Sequence, residues 1–442
     1  MLRFALSFCL VASFAVPATA QQSEGLDLSG SIRLRHESIE NQPRAGFDRD
    51  DALINLRTTL SASYREGPLT LAAELWDSRI WGADPGTPVS TGEVNALELV
   101  QVYAAYRAQL GKTRLTLQGG RFTLNIGSRR LVAADDYRNT TNGYTGIRAD
   151  FAAPNGVSGT LVYVLPQQRR PDDAASLRNA RAEWDREGFD QVLWGGTLAK
   201  AKAIGAVTIE GNFYHLGERD TPGRPVRDRS INTYGGRIMR DPKAGAIDFE
   251  IEAFHQSGRI SASTAANAAR IPVDASFVHA DVGYTLTDPW KTRLSLEYDR
   301  ASGDRAGGRY GRFDTLFGMR RADLAPAGLY NAIGRANLVS IGPRIEMAPS
   351  KRIDVTATYH AMWLAEQTDS FATTGVRDAT GRAGRFAGQQ IDTRFRWWMV
   401  PEKLRLEANA VFLAKGRFLR EAPNAPAGGW ARYFSLNITA TF

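Results

Sequence analysis

The sequence predicts an all-β fold: an antiparallel transmembrane β-barrel of about 18 strands, with short periplasmic turns and long extracellular loops. Apolar and polar residues alternate along most of the 442-residue chain, and a period of two places each set on its own face of a sheet. Short polar breaks alternate with long polar stretches, as in outer-membrane barrels. The 42 glycines, 20 phenylalanines and 14 tyrosines are typical of a β-rich chain.

The first twenty residues predict a secretory signal peptide that is cleaved. Met1-Leu2-Arg3 gives a short positive start, residues 4–16 form an apolar core, and Ala18-Thr19-Ala20 supplies the small residues of a cleavage site. The core is too short to span a bilayer. Because Cys9 lies in this segment, the mature chain is expected to have no disulfide and no thiol chemistry. Residues 21–442 are then expected to form a single barrel domain.

Regular alternation begins at Gly25 and recurs up to the C-terminus. Clear examples are residues 26–35, 69–75, 353–359 and 404–410. No segment has the 3.6-residue period of an amphipathic helix. A soluble protein with so many amphipathic strands would need further layers to cover its apolar face. The apolar set is therefore predicted to face lipid.

The breaks between the strands give the strand number. Tight turns are expected at Glu66-Gly67, Leu110-Gly111, Ala153-Pro154-Asn155, Ala203–Gly205, Asp241-Pro242-Lys243, Asp288-Pro289, Ala348-Pro349-Ser350 and Pro401-Glu402. Long loops are expected near 38–49, 82–94, 126–141, 167–188, 218–229, 259–272, 303–334, 365–386 and 416–429. Eight turns and nine loops connect 18 strands.

These features predict a protein of the bacterial outer membrane. A closed barrel satisfies every backbone N–H and C=O group, which the hydrocarbon core demands. The expected surroundings are outer-membrane lipid and lipopolysaccharide. Phe442 ends an alternating strand and resembles the tag by which barrel-assembly machinery recognises its clients, so that machinery is a predicted partner.

The residues between the apolar ones are predicted to line a water-filled pore, because so many ionised groups are too costly to place against lipid. Two loops, 126–141 and 303–334, are basic and long enough to fold inward and form the constriction. Gly119-Gly120 interrupts the alternation, which predicts a bulge that re-aims Arg121. The candidate pore-lining residues are Arg33, Arg35, Arg57, Arg121, Arg129, Arg130, Arg148, Arg293, Glu297, Asp299, Arg344, Arg394, Arg396 and Arg405.

Two interpretations of these charges remain open. Arginines and carboxylates that pair along the wall would hold the barrel open and do nothing more. Arginines in excess of carboxylates would instead form a track for anionic solutes, since rings of charged side chains commonly set pore selectivity and the guanidinium fork binds carboxylates bidentately.

Several segments carry a family resemblance. They are residues 120–127, 130–131, 137–140, 143–148, 298–304, 313–318 and 359–364, and through them nearly the whole mature chain resembles the alginate-export family of outer-membrane porins. The resemblance implies a monomeric 18-strand barrel, with a basic pore in the member that exports alginate. The chain departs from the family pattern at Tyr137, where the family usually has Trp, and at Tyr144-Thr145, where it has Phe-Asp. The turn at Val400–Lys403 is tight, whereas the resemblance implies a long periplasmic plug loop at this position in the alginate exporter. This difference favours an open channel for smaller solutes.

Other function classes find no support in the sequence. The five histidines are scattered, without HExxH, GxSxG or metal-ligand spacing, so the chain is expected to be neither an enzyme nor a metal or cofactor protein. Basic residues are dispersed along strands, which excludes a nucleic-acid site. The sequence thus predicts a porin for passive diffusion or export of anionic or sugar-like solutes. The alternatives are a channel for hydrophobic or aromatic small molecules and a non-conducting structural barrel.

Overall fold

The computed structural model describes residues 24–135, 137–320 and 323–442, so the predicted signal peptide lies outside the described residues. Within them the chain forms one sheet of 18 antiparallel strands. The strands are β1 (Gly25–Glu40), β2 (Asp51–Glu66), β3 (Leu69–Trp81), β4 (Asn95–Leu110), β5 (Thr113–Thr123), β6 (Gly143–Ala152), β7 (Val157–Pro166), β8 (Gln191–Ile204), β9 (Val207–Glu218), β10 (Ser230–Arg240), β11 (Ala246–Ser261), β12 (Arg270–Thr285), β13 (Arg293–Ala301), β14 (Leu338–Ser350), β15 (Ile353–Trp363), β16 (Phe386–Val400), β17 (Leu404–Lys415) and β18 (Trp430–Thr441).

The sheet closes on itself, which confirms the predicted barrel. Each strand pairs with its sequence neighbours, and β1 pairs with both β2 and β18. Eight tight turns lie at one rim and nine long loops at the other, as expected, although the turn after β14 lies at 351–352 rather than at Ala348-Pro349-Ser350. Two one-turn helices lie in the long loops: α1 (Ala174–Arg178) and α2 (Arg417–Glu421).

No helix among the described residues is long and apolar enough to cross a membrane.

The outer face of the barrel is apolar, as the alternation predicts. The residues of β1 and β18 that it assigns to lipid are exposed. Their sequence neighbours are buried in β18 and from Arg33 onward in β1, whereas Asp27 and Ser29 near the tight-turn rim are exposed as well. Exposed residues of these two strands are Leu26, Leu28, Ile32, Leu34, Phe434, Leu436 and Ile438. Because the register is regular along the β1–β18 seam, from Ser31 opposite Thr441 to Glu40 opposite Arg432, both strands present the same face to lipid.

The inner face changes character along the barrel. On β1, Arg33, Arg35 and Glu37 are buried on the inner face, and Ile39 follows them at the long-loop end. At that end, inward-facing apolar residues of many strands form clusters with residues of the long loops. One cluster joins Phe122, Tyr144, Val164, Tyr214, Phe254 and Phe277 to Leu131, Val132 and Phe313; the other joins Ile39, Leu53, Leu413 and Tyr433 to Leu324, Tyr330, Ile333 and Phe371. The loops therefore fold back into the barrel and cover an apolar inner wall there.

The predicted bulge at Gly119-Gly120 is wrong. The register of β5 is unbroken against β4 and against β6. The alternation of apolar and polar residues changes there because Phe122 is an inward-facing apolar residue beneath the loops, where the lining is no longer polar. The register is instead irregular between β3 and β4, where it shifts between Glu74 and Leu75 and again between Trp76 and Ser78.

Candidate functional site

Two long loops cross the inside of the barrel and bind each other. The loop between β5 and β6 (residues 124–142) is called the first crossing loop, and the loop between β13 and β14 (302–337) the second. The Phe317 N–H donates to Leu131 O at 2.9 Å, and the Ala133 N–H donates to Phe317 O at 3.1 Å. The Phe317 ring lies edge-on to that of Tyr144, with centroids 5.7 Å apart. The two loops that the sequence predicts to fold inward are therefore joined to each other by backbone hydrogen bonds at this junction.

Arg130 of the first crossing loop is the charged centre of the junction. Its Nε and Nη2 donate to the two carboxylate oxygens of Asp323 in the second loop, each at 2.8 Å. Its Nη1 contacts Glu250 and lies 2.9 Å from Glu252, both on β11. Arg335 also contacts Asp323. Since all five side chains are buried, one guanidinium joins both loops to the barrel wall.

Three predicted arginines on β1 and β2 hold the other end of the first crossing loop. Arg33 donates to Arg138 O at 2.7 Å and to Asn139 Oδ1 at 3.1 Å. Arg35 contacts Tyr137 O and lies over the Tyr137 ring at 4.1 Å. Arg57 donates to Arg138 O at 3.2 Å. These side chains position the loop by binding its carbonyl oxygens, which the sequence alone does not indicate.

A cavity of about 370 Å³ lies between this junction and the tight-turn rim, where Arg240, Asp241 and Pro242 form part of its lining. Its lining combines residues of the first crossing loop with residues of strands on both sides of the barrel. Ten of the fourteen candidate residues contribute: Arg33, Arg35, Arg129, Arg130, Arg293, Glu297, Arg344, Arg394, Arg396 and Arg405. Strand topology thus gathers residues that are far apart in sequence.

The charges around this cavity are unevenly distributed. On β16, β17 and β1 the lining holds five arginines (Arg394, Arg396, Arg405, Arg33 and Arg35), whose side chains we call the basic wall, and one carboxylate, Glu407. Arg396 Nε lies 2.9 and 3.0 Å from the two oxygens of Asp354. Arg405 approaches Glu407 only to 3.9 Å. Cations outnumber carboxylates on this side of the lining, so it favours an anion.

The lining on β10–β13 is close to balanced in charge, because three arginines (Arg237, Arg240 and Arg293) and His279 accompany its carboxylates. It holds four carboxylates: Asp248, Glu250, Asp281 and Glu297. Arg293 is set among them, with its Nε 2.9 Å from Asp248 Oδ1 and its Nη1 3.3 Å from Glu346 Oε2. Arg344 bridges Glu297 at 2.9 Å and Glu346 at 2.7 Å. These arginines belong to paired ladders that hold neighbouring strands together, which is the first of the two interpretations of the charges.

Four candidate residues lie outside the lining of the cavity. Arg57 holds the first crossing loop, as described. Arg148 pairs with Asp150 on its own strand at 2.9 Å, and Asp299 accepts a 2.9 Å contact from His279. Arg121 joins Glu98 of β4 to Glu187 in the loop between β7 and β8. Each is engaged with a neighbouring side chain or backbone carbonyl.

The loop anchored by Arg121 contains a buried carboxyl group, Asp185. Its Oδ1 accepts from the Arg170 N–H at 2.8 Å, and its own N–H donates to Glu98 Oε2 at 2.8 Å. Burial, reinforced by the Glu98 carboxylate, raises the pKa of Asp185 to about 7. A carboxyl whose folded pKa is raised binds protons more tightly in the docked loop, so docking weakens as the pH rises from about 4 to about 7.

We therefore expect hydrogen exchange in loop 167–190, corrected for its intrinsic pH dependence, to be several-fold slower at pH 5 than at pH 8. Asp185→Asn keeps a neutral side chain of the same size and should make protection independent of pH, whereas Asp172→Asn, at an exposed position of the same loop, should leave the dependence intact. Equal protection of the wild-type loop at both pH values would contradict the assignment.

Sequence reasoning missed several residues of the site. Arg237 on β10 is buried, with its guanidinium 3.0 Å from Glu210. Tyr234 and Ile238 of the same strand point outward, so the period of two predicts that Arg237 faces inward. Asp323 and Arg335 lie in a loop without periodicity, and nothing in the local sequence marks them as partners of Arg130.

The chain is similar to a known family and to several solved structures. The model of the protein family described as Alginate export matches residues 25–428. Among solved structures, that of Pseudomonas aeruginosa OccD3 (OpdP) has 14% identity and a TM-score of 0.57, covering 95% of this chain and 91% of that one. P. aeruginosa OpdK with vanillate has 12% identity and a TM-score of 0.56, covering 94% and 98%. P. aeruginosa OccK2 (OpdF) in complex with glucuronate has 11% identity and a TM-score of 0.55, covering 95% and 99%. No curated protein matches the chain.

Proposed function

The chain belongs to the alginate export family of outer-membrane channels, which are not enzymes, and from this premise we propose that it passes small anionic or sugar-like solutes along the basic wall. The supporting observation is the excess of arginine over carboxylate where β16, β17 and β1 line the cavity. Among the described residues, Arg405 contacts a single carboxylate, that of Glu407, at 3.9 Å. Its guanidinium can therefore bind an incoming carboxylate without first breaking a close ion pair.

The size of the cavity favours small solutes. About 370 Å³ lies near the lower end of the range for small-molecule sites. The turn between β16 and β17 is only residues 401–403, so this part of the chain supplies no long segment to plug the tight-turn rim. Vanillate and glucuronate, the molecules with OpdK and OccK2, are both small carboxylates. A hydroxylated or aromatic monocarboxylate is the solute class we favour.

The charged lining argues against a channel for uncharged hydrophobic compounds. The apolar clusters of the interior lie at the long-loop end, where loop side chains fill them. A hydrophobic solute entering the cavity would displace water from buried arginines and carboxylates at a cost of several kcal/mol. A non-conducting barrel is the remaining alternative, and conductance decides it.

We expect a preference for anions that depends on the basic wall. In planar bilayers, the wild type should conduct and favour Cl⁻ over K⁺. The double variant Arg396→Gln with Arg405→Gln should lower the Cl⁻/K⁺ permeability ratio several-fold toward one, because it removes two cationic groups from a low-dielectric constriction. Liposome swelling should be faster with glucuronate than with glucose in the wild type, and this difference should disappear in the double variant.

The matched control is Arg186→Gln with Arg382→Gln, which removes two exposed cations from long loops. It should leave the permeability ratio unchanged in symmetrical high salt. Absence of conductance would overturn the channel. Equal permeability to Cl⁻ and K⁺, unaltered by the double substitution in the basic wall, would overturn the anion path while leaving the channel in place.

A further inference from the structure

The lysines of this chain are concentrated at one rim of the barrel. The chain has eight lysines, and seven of them lie in the tight turns or within five residues of one. Six of these are exposed: Lys112, Lys202, Lys243, Lys291, Lys351 and Lys403. They serve six different turns, those after β4, β8, β10, β12, β14 and β16. We call these six side chains the lysine ring.

The eighth lysine shows that this placement is not simply a matter of exposure at strand ends. Lys415 lies at the long-loop end of β17, is 5% exposed, and its Nζ donates to Pro426 O at 3.2 Å and Ala427 O at 3.3 Å. The long loops otherwise use arginine for their cations. Arginine suits fixed, bidentate contacts, whereas lysine carries a compact, hydrated charge on a flexible stem. The tight-turn rim therefore presents compact cationic groups on long side chains.

At four of its six turns the lysine ring has an exposed apolar residue of the outer face within three positions along the chain. Exposed apolar side chains next to the ring include Leu110 (65%), Ile204 (73%), Trp290 (52%) and Val400 (46%). The apolar outer face ends where the hydrocarbon gives way to lipid headgroups, and Trp290 is an aromatic residue of the kind that marks this level. Lysine stems at this level extend along the apolar surface and place the ammonium among the headgroups. The carboxylates in the same turns are fewer: Asp241, Asp288 and Glu402.

We propose that the lysine ring binds the phosphate groups of anionic phospholipids in the periplasmic leaflet of the outer membrane. The position of the ring favours lipid over a soluble anion, because four of the six lysines lie within three residues of an exposed apolar residue of the outer face. The lining of the cavity contains none of the six. Bound anionic lipid would fix the height of the barrel in the bilayer at six points of its circumference.

The test compares lipid preference in wild type and variants. The purified full barrel is placed in phosphatidylcholine bilayers that contain brominated phosphatidylglycerol, and quenching of tryptophan fluorescence reports the lipid enriched at the protein surface. A lysine near an anionic leaflet contributes up to about a five-fold preference at low salt. We expect the wild type to enrich phosphatidylglycerol at least several-fold. The variant with all six lysines replaced (Lys→Gln) should show an enrichment ratio near one.

Two controls keep the proposal falsifiable. The variant with all six lysines replaced by arginine (Lys→Arg) keeps the charge and should retain the enrichment of phosphatidylglycerol. Six Arg→Gln substitutions at exposed positions of long loops should also retain it; these are Arg181, Arg186, Arg219, Arg382, Arg385 and Arg417. Equal loss in the long-loop variant would overturn the proposal. Unchanged enrichment of phosphatidylglycerol in the Lys→Gln variant would also overturn it. If that variant in addition showed lower anion permeability in pure phosphatidylcholine, the ring would act on solutes instead of lipid. Because conductance is measured separately, a barrel that fails to conduct still tests the ring.

Discussion

Replacing Arg130 by alanine is expected to release the crossing loops from each other and to increase the conductance of the channel. The substitution removes the only side chain that contacts Asp323 of the second loop together with Glu250 and Glu252 of β11 among the described residues. Arg237 and Arg335 still contact Glu250 and Asp323. Of the partners of Glu252 within the described part of the chain, the Ser128 hydroxyl remains, at 2.8 Å. Removing one partner of a buried ion pair costs about 3–5 kcal/mol, because the remaining charges stay buried.

The junction is expected to remain charged over the whole physiological pH range. Burial alone would raise the pKa of Asp323, but the Arg130 and Arg335 guanidiniums hold it well below its usual range. A carboxylate with a lowered pKa stabilises the folded loop above the unfolded pKa, near 4, and loses this contribution only as the pH falls further. Acid alone should therefore open the wild-type junction only well below pH 4.

Single-channel recordings and urea unfolding check the prediction for Arg130→Ala. We expect larger and noisier conductance steps, and faster hydrogen exchange in residues 124–142. Arg130→Lys should behave like a partial loss, since lysine cannot bind Asp323 bidentately. Arg309→Ala removes an exposed arginine of the second crossing loop, with a 3.0 Å contact to Asp274, and should change stability by about 1 kcal/mol or less. If Arg130→Ala conducted like the wild type, the contact between the two crossing loops would not limit the conductance of the channel.

The alternation of residues was sufficient to predict the barrel and its outer face. Hydrophobic residues such as Leu34 and Leu436 must avoid water on a face that nothing else covers, so their period of two survives in the sequence. The turns were predictable for a related reason: Gly67, Gly111 and Gly205 adopt positive φ values of 54–62° in tight connections, which favour glycine. Both signals are local, and each is read within one strand or one turn.

The interior required information that lies far apart along the chain. Ile39 and Phe122 face inward although they are apolar, because loops from other parts of the sequence cover them. Arg33 and Arg35 are buried, and their carbonyl partners in residues 137–138 are about a hundred positions away in sequence. No period identifies such pairs. Sequence reasoning therefore placed charges on the correct face without distinguishing those that hold loops from those that remain available to a solute.

Substitution of Gly318 by alanine tests the junction without changing any charge. A Cβ at Gly318 would lie 1.8 Å from Arg130 O and 2.4 Å from Arg130 C, both backbone atoms, so side-chain rotation cannot relieve the clash. The second crossing loop must then move away from the first and break the adjacent bond from the Met319 N–H to Arg129 O, now 3.0 Å. This separation is expected to stretch the Arg130–Asp323 contact as well.

Gly318→Ala should therefore reproduce the larger conductance and faster loop exchange of Arg130→Ala while retaining every ionisable group. Gly429→Ala is the matched control, because a Cβ there meets no atom within 4 Å, and it should conduct like the wild type. If the two junction variants act through the same contact, the double variant should add little to either one. Increased conductance in Arg130→Ala but not in Gly318→Ala would mean that the guanidinium acts through its charge in the lumen, and that holding the two loops together is not what limits the flow of ions.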